Sequence, residues 1–193
     1  MFGMKNTISD INPWYVTGLV DGEGCFSLAL NTENRKRKKG TISSYTYWVT
    51  IFRVSLREDD YKIIDKLRAY FNCGSSNTYR SSSHKLKAVP GITAFHVKSR
   101  KDLISKIIPH FDKYPLQAKK RATYKIWREA VIILFNADKK RPNVFSRQIL
   151  TMEEESRLRS IKQAIAEPQT GGHRRIAMKA LEKKSGKIVR EQK

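Results

Sequence analysis

Residues 12–30 read NPWYVTGLVDGEGCFSLAL, a stretch that begins as a good helix and ends as a poor one. Asn12 is a residue type that caps the free amides of a first turn, and Pro13 suits the first helical position. The far end carries Asp21 and Glu23, where the helix dipole is negative and disfavours carboxylates by about 0.3 to 1 kcal/mol. Three glycines weaken the same segment further. These residues therefore indicate a purpose other than helix stability.

Two of the glycines, Gly18 and Gly22, are four residues apart and share one face of the helix. A face without side chains allows another backbone to approach closely, either a second helix or the core of the same domain. Glu23 lies beside them at the negative helix end, which favours a bound cation. Because Mg²⁺ prefers carboxylate and carbonyl oxygens, this end of the helix is a candidate metal site.

The composition predicts a polyanionic partner. The chain has 193 residues, with 39 Lys and Arg against 18 Asp and Glu, for a formal charge of +21. Such an excess favours nucleic acid, whether as an enzyme's substrate or in a ribosome-associated protein. A membrane partner is disfavoured because the sequence has no long apolar run. The length predicts one domain over residues 1–166, followed by a basic, flexible tail over 167–193.

The cysteines and histidines argue against a zinc or redox site. Cys25 and Cys73 fit no metal-binding or redox spacing, and the four histidines are scattered. No secretory signal is visible at the N-terminus. The sequence therefore predicts free thiols in a reducing setting, either an organelle or a bacterial or archaeal cytoplasm.

The order of elements predicts an α+β fold. Strand-like alternation and helical spacing occur in separate segments along the chain. In the second strand, alternation places Trp48, Phe52 and Val54 on one face. In the helix that follows, the spacing predicts an inner face made of Ile63, Ile64, Leu67, Tyr70 and Phe71. Thr151, with Glu154 three residues later, predicts a capping box at the start of the last helix. A polar, basic loop is predicted over residues 32–40, between the first two strands. The predicted strands cover residues 25–31, 41–56, 73–83 and 91–99, and the helices after the first cover 57–72, 100–111, 116–137 and 150–166.

Residues 16–24, VTGLVDGEG, resemble the motif that names the LAGLIDADG homing endonucleases. Two further blocks match members of that family in order: FRVSLREDDYKIIDKLRAYFNCG at 52–74 and IIPHFDKYPLQAKK at 107–120. The resemblance extends from about residue 12 to about residue 165. It implies an αββαββα fold with a saddle-shaped antiparallel sheet that lies on DNA, plus C-terminal helices.

The resemblance also implies a site-specific endonuclease that makes a metal-dependent double-strand break in a long, roughly palindromic DNA target. The last acidic position of the motif, Glu23 here, binds the catalytic ion in that family, and the carbonyl of Gly22 would be a second ligand. The ion would be Mg²⁺, with Mn²⁺ or Ca²⁺ able to take its place. The side chain of Asp21 lies one position off the catalytic face of the motif helix, so Asp21 would have a supporting role.

The single motif in this sequence has a consequence for assembly. Cutting both strands in this family requires two such carboxylates, one at the foot of each motif helix. The resemblance therefore implies a homodimer, with Gly18, Leu19 and Gly22 at the contact. A two-fold protein predicts a two-fold target.

Family members place a basic residue near the scissile phosphate in the segment YPLQAKKRATY, where it would neutralise developing charge. Lys119 and Lys120 are both candidates, and the sequence does not separate them. The chain also departs from the family, since Leu56 occupies a position that is often glutamine. Asp60 occupies a position that is basic in some members. These departures leave open a weakened or inactive enzyme.

DNA recognition is predicted on the polar faces of the strands, where side chains can read base edges. The basic run at 35–39, including Arg35 and Arg37, is expected to contact phosphates. The predicted base-reading residues are Ser27, Ala29, Asn31, Tyr47, Arg53, Ser55, Asn77, Tyr79, His96 and Lys98.

Other functions fit parts of the same pattern. A maturase of the same fold would bind its own intron RNA, and a dimeric DNA-binding regulator would need no catalysis. The stretch EDDYK, with Asp60 and Lys62, imitates part of another metal-nuclease motif. That stretch is predicted to lie on the outer face of a helix, which argues against it.

Overall fold

The computed structural model describes residues 11–36, 40, 42–80, 91–141 and 148–166. The predicted α+β class and the repeated helix–strand–strand order are both confirmed. The predicted tail, residues 167–193, lies outside the described residues. In chain order the elements are α1 (Pro13–Glu23), β1 (Gly24–Lys36), β2 (Ile42–Arg57), a 3₁₀ turn (Glu58–Asp60), α2 (Tyr61–Phe71), β3 (Ser75–Tyr79), β4 (Ile92–Val97), α3 (Arg100–Asp102), a π-helical turn (Leu103–Ile107), α4 (Ile108–Lys113), α5 (Lys120–Lys139) and α6 (Met152–Ala166).

The four strands form one antiparallel sheet in the order β1-β2-β4-β3. The two hairpins therefore meet through β2 and β4, so that both contribute to one continuous surface. Phe52 of β2 is paired with Phe26 of β1 on one side and with Val97 of β4 on the other. Because strand side chains alternate, this pairing fixes which residues of all four strands share a face.

The helices cover one face of this sheet and form the core with it. Phe26 is central, with ring centroids 5.4 Å from Phe52 and 5.0 Å from Trp127 of α5. The predicted inner face of β2 is confirmed, since Trp48, Phe52 and Val54 are all buried. With its inner face covered in this way, the sheet leaves the opposite face open.

The capped starts predicted for the first and the last helix are confirmed. The side chain of Asn12 accepts a hydrogen bond from the amide of Trp14 at 2.8 Å, and Pro13 begins α1. At α6, the amide of Thr151 donates to the Glu154 carboxylate at 2.8 Å, and the amide of Glu154 donates to the Thr151 hydroxyl at 3.1 Å. This reciprocal pair is the predicted capping box.

The predicted loop over residues 32–40 is wrong for its first five residues, because β1 continues to Lys36. The ladder with the longer β2 supplies backbone partners that outweigh the low strand propensity of this polar run. The register is reinforced on the outer face, where the Tyr45 hydroxyl donates to the Glu33 carboxylate.

The helix predicted over residues 57–72 begins with the 3₁₀ turn and continues as α2. Ile64, Leu67 and Phe71 are buried as predicted, whereas Ile63 and Tyr70 on the same face are half-buried. Within the described ranges, none of the helices is long and apolar enough to span a membrane. Cys25 and Cys73 are both half-buried and are not joined by a disulfide.

Candidate functional site

The motif helix leads directly into the sheet. Glu23 is the last residue of α1, and Gly24 is the first residue of β1. The amide of Gly24 donates to the carbonyl of Val20, and a Cβ at Gly24 would lie 2.5 Å from Val20 Cγ1. Only glycine allows this close passage, and it leaves the exposed Glu23 at the junction of helix and sheet.

Asp21 ties the end of α1 to the segment before α5. Its Oδ2 accepts hydrogen bonds from the amides of Gln117 at 2.8 Å and Ala118 at 3.3 Å. Its Oδ1 is buried and has no hydrogen-bond partner in the described part of the chain. The prediction that a helix begins at Leu116 is wrong, because these amides are held by Asp21 and α5 begins at Lys120.

Lys120 reaches the same helix end, and Lys119 does not. The Lys120 ammonium donates to the carbonyls of Asp21 at 3.0 Å and Gly22 at 2.5 Å. These carbonyls belong to the last turn, which lacks intrahelical partners and favours a cation. Lys119 is exposed and lines a separate shallow surface with Arg121 and Lys125.

The oxygen atoms at this helix end suit a hard divalent cation. Glu23 offers an exposed carboxylate, and Gly22 offers a carbonyl for which the Lys120 ammonium competes. Among the residues described, no group of three or more His, Cys, Asp or Glu side chains could hold a metal ion. The candidate oxygen donors at this helix end are the Glu23 carboxylate and the Gly22 carbonyl.

The two positions that depart from the family pattern have different surroundings. Leu56 is half-buried and packs against the hydrophobic core from β2. Asp60 is exposed in the 3₁₀ turn before α2. A hydrocarbon side chain packed on the core gives no polar group for orienting water, so Glu23 and Lys120 remain the candidate reactive groups.

The face of α1 that carries Gly18 and Gly22 is open. Both glycines are exposed, and a Cβ added to either would meet no described atom within 4 Å. Trp14 and Tyr15, one turn earlier, are 52% and 48% exposed. The alternative explanation for the glycines, close packing on their own core, is therefore wrong. The third predicted contact residue, Leu19, is half-buried and packs partly against that core.

The predicted base-reading positions share the open face of the sheet. Strand register and alternation place nine of them there, and Lys98 is exposed directly after β4. Arg35 is paired with Ser43 in the ladder, and Arg37 lies outside the described residues. The nine are Ser27, Ala29, Asn31, Tyr47, Arg53, Ser55, Asn77, Tyr79 and His96.

One row of this face crosses all four strands close to the α1 junction. Cys25, Arg53, His96 and Ser75 are successive partners across the ladder. His96 Nε2 and Ser75 Oγ are hydrogen-bonded at 2.9 Å, and the Arg53 guanidinium carbon lies 5.8 Å from the Tyr79 ring centroid. Sequence reasoning missed Cys25 and Ser75, although strand alternation from Ser27 and Asn77 could have identified them.

The electrostatics of this row keep two of its groups neutral at neutral pH. Burial, together with Lys98 and Arg53, lowers the pKa of His96, so its ring offers one donor and one acceptor. Burial raises the pKa of the Cys25 thiol, although nearby Arg53 and Lys120 oppose the shift. The row therefore presents one permanent cation, Arg53, among neutral hydrogen-bonding groups.

Asp21→Ala is expected to lower the free energy of unfolding by about 1 to 2 kcal/mol, because two amides lose a charged acceptor. Removal of the unpartnered Oδ1 offsets part of this loss. Urea denaturation at pH 7 measures the change, with the exposed Asp65→Asn as control. A loss below about 0.5 kcal/mol, the range of surface substitutions that break no such contact, would contradict the supporting role.

Comparisons with known proteins agree with this architecture. A family model described as LAGLIDADG endonuclease matches residues 16–131. A protein in ND4 intron 1 of Podospora anserina is 34% identical over 134 residues, which are 68% of this chain and 26% of that protein. A probable intron-encoded endonuclease 3 of Neurospora crassa is 29% identical over 136 residues, 70% of this chain and 23% of that protein. The chain thus spans about a quarter of these relatives' lengths.

Two solved structures share the fold. The homing endonuclease I-TnaI is 25% identical, with a TM-score of 0.61 over 90% of this chain and 98% of its own. I-SmaMI, bound to uncleaved DNA in the presence of calcium ions, is 24% identical, with a TM-score of 0.61 over 82% of this chain and 46% of its own.

Proposed function

The chain belongs to the LAGLIDADG endonuclease family, and from this premise we propose that it is a homing endonuclease that cuts both strands of a long, roughly palindromic DNA target. The observation that carries the proposal is the junction of α1 with the sheet. There an exposed carboxylate, Glu23, and a lysine, Lys120, meet the edge of an open polar face.

Glu23 would hold a divalent ion, Mg²⁺ in the first instance, with the Gly22 carbonyl as a second donor once Lys120 moves off it. Such an ion would stabilise negative charge on the phosphate oxygens and lower the pKa of a bound water molecule. Lys120 brings a second positive charge to the same place, where it would neutralise charge that develops on the scissile phosphate. Lys120 would stay close to this helix end after leaving Gly22, because its ammonium also binds the carbonyl of Asp21.

A homodimer would complete the site. The open face around Gly18 and Gly22 accommodates a second copy of α1 at close range, and Trp14 and Tyr15 would extend the contact. Two copies would supply two Glu23 carboxylates, one for each DNA strand. The pairing would also double the polar sheet face, so that a two-fold surface would read a two-fold target.

The binding surface would combine sequence readout with phosphate attraction. Arg53, Asn77 and His96 carry donors and acceptors that match base edges in the major groove. The chain's formal charge of +21 would provide the non-specific part of the affinity, which falls as salt rises.

The test of this function is cleavage of the DNA that flanks the reading frame, joined without the intervening intron. We expect a supercoiled plasmid carrying this junction to be linearised at one position with Mg²⁺ or Mn²⁺, and to stay intact with EDTA. The same assay with Ca²⁺ in place of Mg²⁺, together with a binding measurement, shows whether the protein binds this DNA without cutting it. If the protein binds this DNA but cuts it with none of the divalent ions, the endonuclease proposal is contradicted. Tight binding to the intron RNA alone would identify a maturase.

Lys120→Met is expected to lower the single-turnover cleavage rate by about 10²-fold, because a charge near the transition state is lost. Lys119→Met is its matched control, since the neighbouring lysine faces a different surface. The control should change the rate less than about threefold and weaken DNA binding through one lost phosphate contact at most. Equal losses in the two variants would contradict the assignment of Lys120.

A further inference from the structure

A buried histidine connects the motif helix to two other parts of the fold. Within the described ranges, the buried polar side chains are Thr17, Thr50, Thr93 and His110. His110 is only 6% exposed and lies on α4. Its two ring nitrogens contact Thr17 of α1 and Tyr70 of α2, so one side chain spans three helices.

The hydrogen bonds around His110 have a single consistent direction. The Thr17 hydroxyl donates its one hydrogen to the carbonyl of Tyr114 at 2.9 Å. Its oxygen must therefore accept from His110 Nε2, 3.3 Å away, so that nitrogen carries the proton. The other nitrogen, Nδ1, is then an acceptor for the Tyr70 hydroxyl at 3.0 Å. Each donor hydrogen in this chain of hydrogen bonds thus has one acceptor, as expected of a buried network.

We propose that His110, protonated on Nε2 alone, is a positioning residue that fixes α1 against residues 114–120 and so places Lys120 at the motif-helix end. Thr17 lies one turn before Asp21, and Tyr114 lies shortly before the amides that Asp21 binds. Two hydrogen-bonded links thus join α1 to the part of this segment that precedes Lys120, from Thr17 and from Asp21. The Trp14 ring also packs edge-on against the Tyr114 ring. His110 orients the first link by fixing the Thr17 hydroxyl.

The ring of His110 is not needed for packing alone. Its centroid lies 4.7 Å from that of Phe111, 5.3 Å from Phe71 and 5.4 Å from Tyr70, all in nearly perpendicular arrangements. A phenylalanine would fill such an aromatic site at similar volume. It would leave the Thr17 oxygen without a donor and the Tyr70 hydroxyl without its acceptor. The histidine therefore supplies specific hydrogen bonds at a site that an apolar ring could also fill.

The network depends on a neutral imidazole. Burial lowers the pKa of His110 to about 4, so its Nδ1 is free to accept at neutral pH. α1 faces the ring with the uncharged Thr17, and Lys106 lines the same shallow cavity beside Pro109. Lys106 is paired with Asp102 at 3.8 Å, and the Lys113 ammonium lies 5.4 Å from the Tyr114 ring centroid. The titratable groups that contact the ring or line the cavity beside it are Tyr70, Lys106 and Tyr114.

The sign of the pH effect follows from this pKa. Between about pH 4 and the ordinary histidine value of 6.5, the folded protein binds fewer protons at His110 than the unfolded chain. The contribution of His110 to stability is therefore complete above pH 6.5 and is lost as the pH falls towards 4. In wild type the urea midpoint should fall across this window, and in His110→Phe this part of the fall should be absent.

The positioning role is tested first in the free protein, by amide hydrogen exchange of Gln117 and Ala118, whose amides bind Asp21. Thr17→Val and His110→Phe are expected to reduce protection of these amides by about tenfold, because the segment loses its first link. Thr50→Val is the matched control, since Thr50 is fully buried but its hydroxyl has no described partner. Equal protection in Thr17→Val and Thr50→Val would overturn the proposal.

The direction of the network is tested by ¹⁵N NMR of histidine-labelled wild type. We expect one ring protonated at Nε2 with a bare Nδ1, titrating near pH 4. If the His110 ring is protonated at Nδ1, or if it titrates near pH 6.5, the assignment is overturned. Neither this test nor the exchange test requires cleavage.

The catalytic consequence rests on the proposed function. Thr17→Val should lower the single-turnover rate by about tenfold and change the DNA Kd by less than about threefold, because Lys120 is misplaced while the sheet is intact. Thr50→Val should change neither. If wild type does not cut, the proposed function fails, whereas the exchange and NMR results still decide the network.

Discussion

Glu23→Gln is expected to reduce DNA cleavage by at least about 10³-fold, with DNA affinity within about threefold of wild type. The amide has nearly the same size as the carboxylate but lacks the charge that a divalent ion requires. Glu23 is exposed at the end of α1, so its replacement should cost little folding energy. Single-turnover cleavage and equilibrium binding on the same target DNA measure the two quantities separately.

Two comparisons make this result specific. Asp65→Asn removes an exposed carboxylate from α2 and should leave the cleavage rate unchanged. In the proposed homodimer, a wild-type chain paired with a Glu23→Gln chain would keep one carboxylate, so this mixed dimer should nick the plasmid and not linearise it. Normal cutting by Glu23→Gln would mean that the ion, if there is one, is held elsewhere. Full linearisation by the mixed dimer would mean that each carboxylate serves both strands.

The parts of the fold that depend on local signals were predictable from the sequence. Asn12 and Pro13 mark the start of α1, and Thr151 with Glu154 marks the start of α6. Each of these signals lies within four consecutive residues. The alternation of apolar and polar residues in β2 identifies its inner face, because a period of two can be read from a few consecutive residues. The resemblance of the motif to a known family then pointed to Glu23.

The features that depend on distant contacts were not predictable in the same way. Lys119 and Lys120 are adjacent and identical in chemistry, and the choice between them depends on where α5 begins. That point is set by Asp21, 96 residues before Gln117. The extension of β1 to Lys36 likewise depends on its partner strand, since the polar residues alone favour a loop.

His110 illustrates the same limit for the site. In the sequence it is one of four scattered histidines, in a block whose pattern indicates only an amphipathic helix. Its partners Thr17 and Tyr70 lie 93 and 40 residues away. A hydrogen-bond direction follows only once all three side chains and the Tyr114 carbonyl are placed. Sequence periodicity identifies a buried position, but it does not identify the polar groups that meet there.

Gly18→Leu is expected to abolish formation of the proposed dimer and to lower the proposed double-strand cleavage by at least about 10²-fold, while the single chain remains folded. Within the described residues a Cβ at Gly18 meets nothing inside 4 Å, so the added side chain has room in the monomer. Replacing glycine inside a helix should even stabilise the monomer by about 0.5 to 1 kcal/mol. Sedimentation of the protein, alone and on target DNA, measures the assembly.

The contrast with Gly24 separates assembly from folding. A Cβ at Gly24 would lie 2.5 Å from Val20 Cγ1 and 2.6 Å from its carbonyl oxygen, inside the same chain. Gly24→Ala should therefore lower the Tm, by several degrees if the clash costs about 1 to 3 kcal/mol, whereas Gly18→Leu should not. A Gly18→Leu protein that still sediments as a dimer and cuts both strands would show that α1 does not form the contact. The Glu23 carboxylates would then have to be brought to the two DNA strands by another surface.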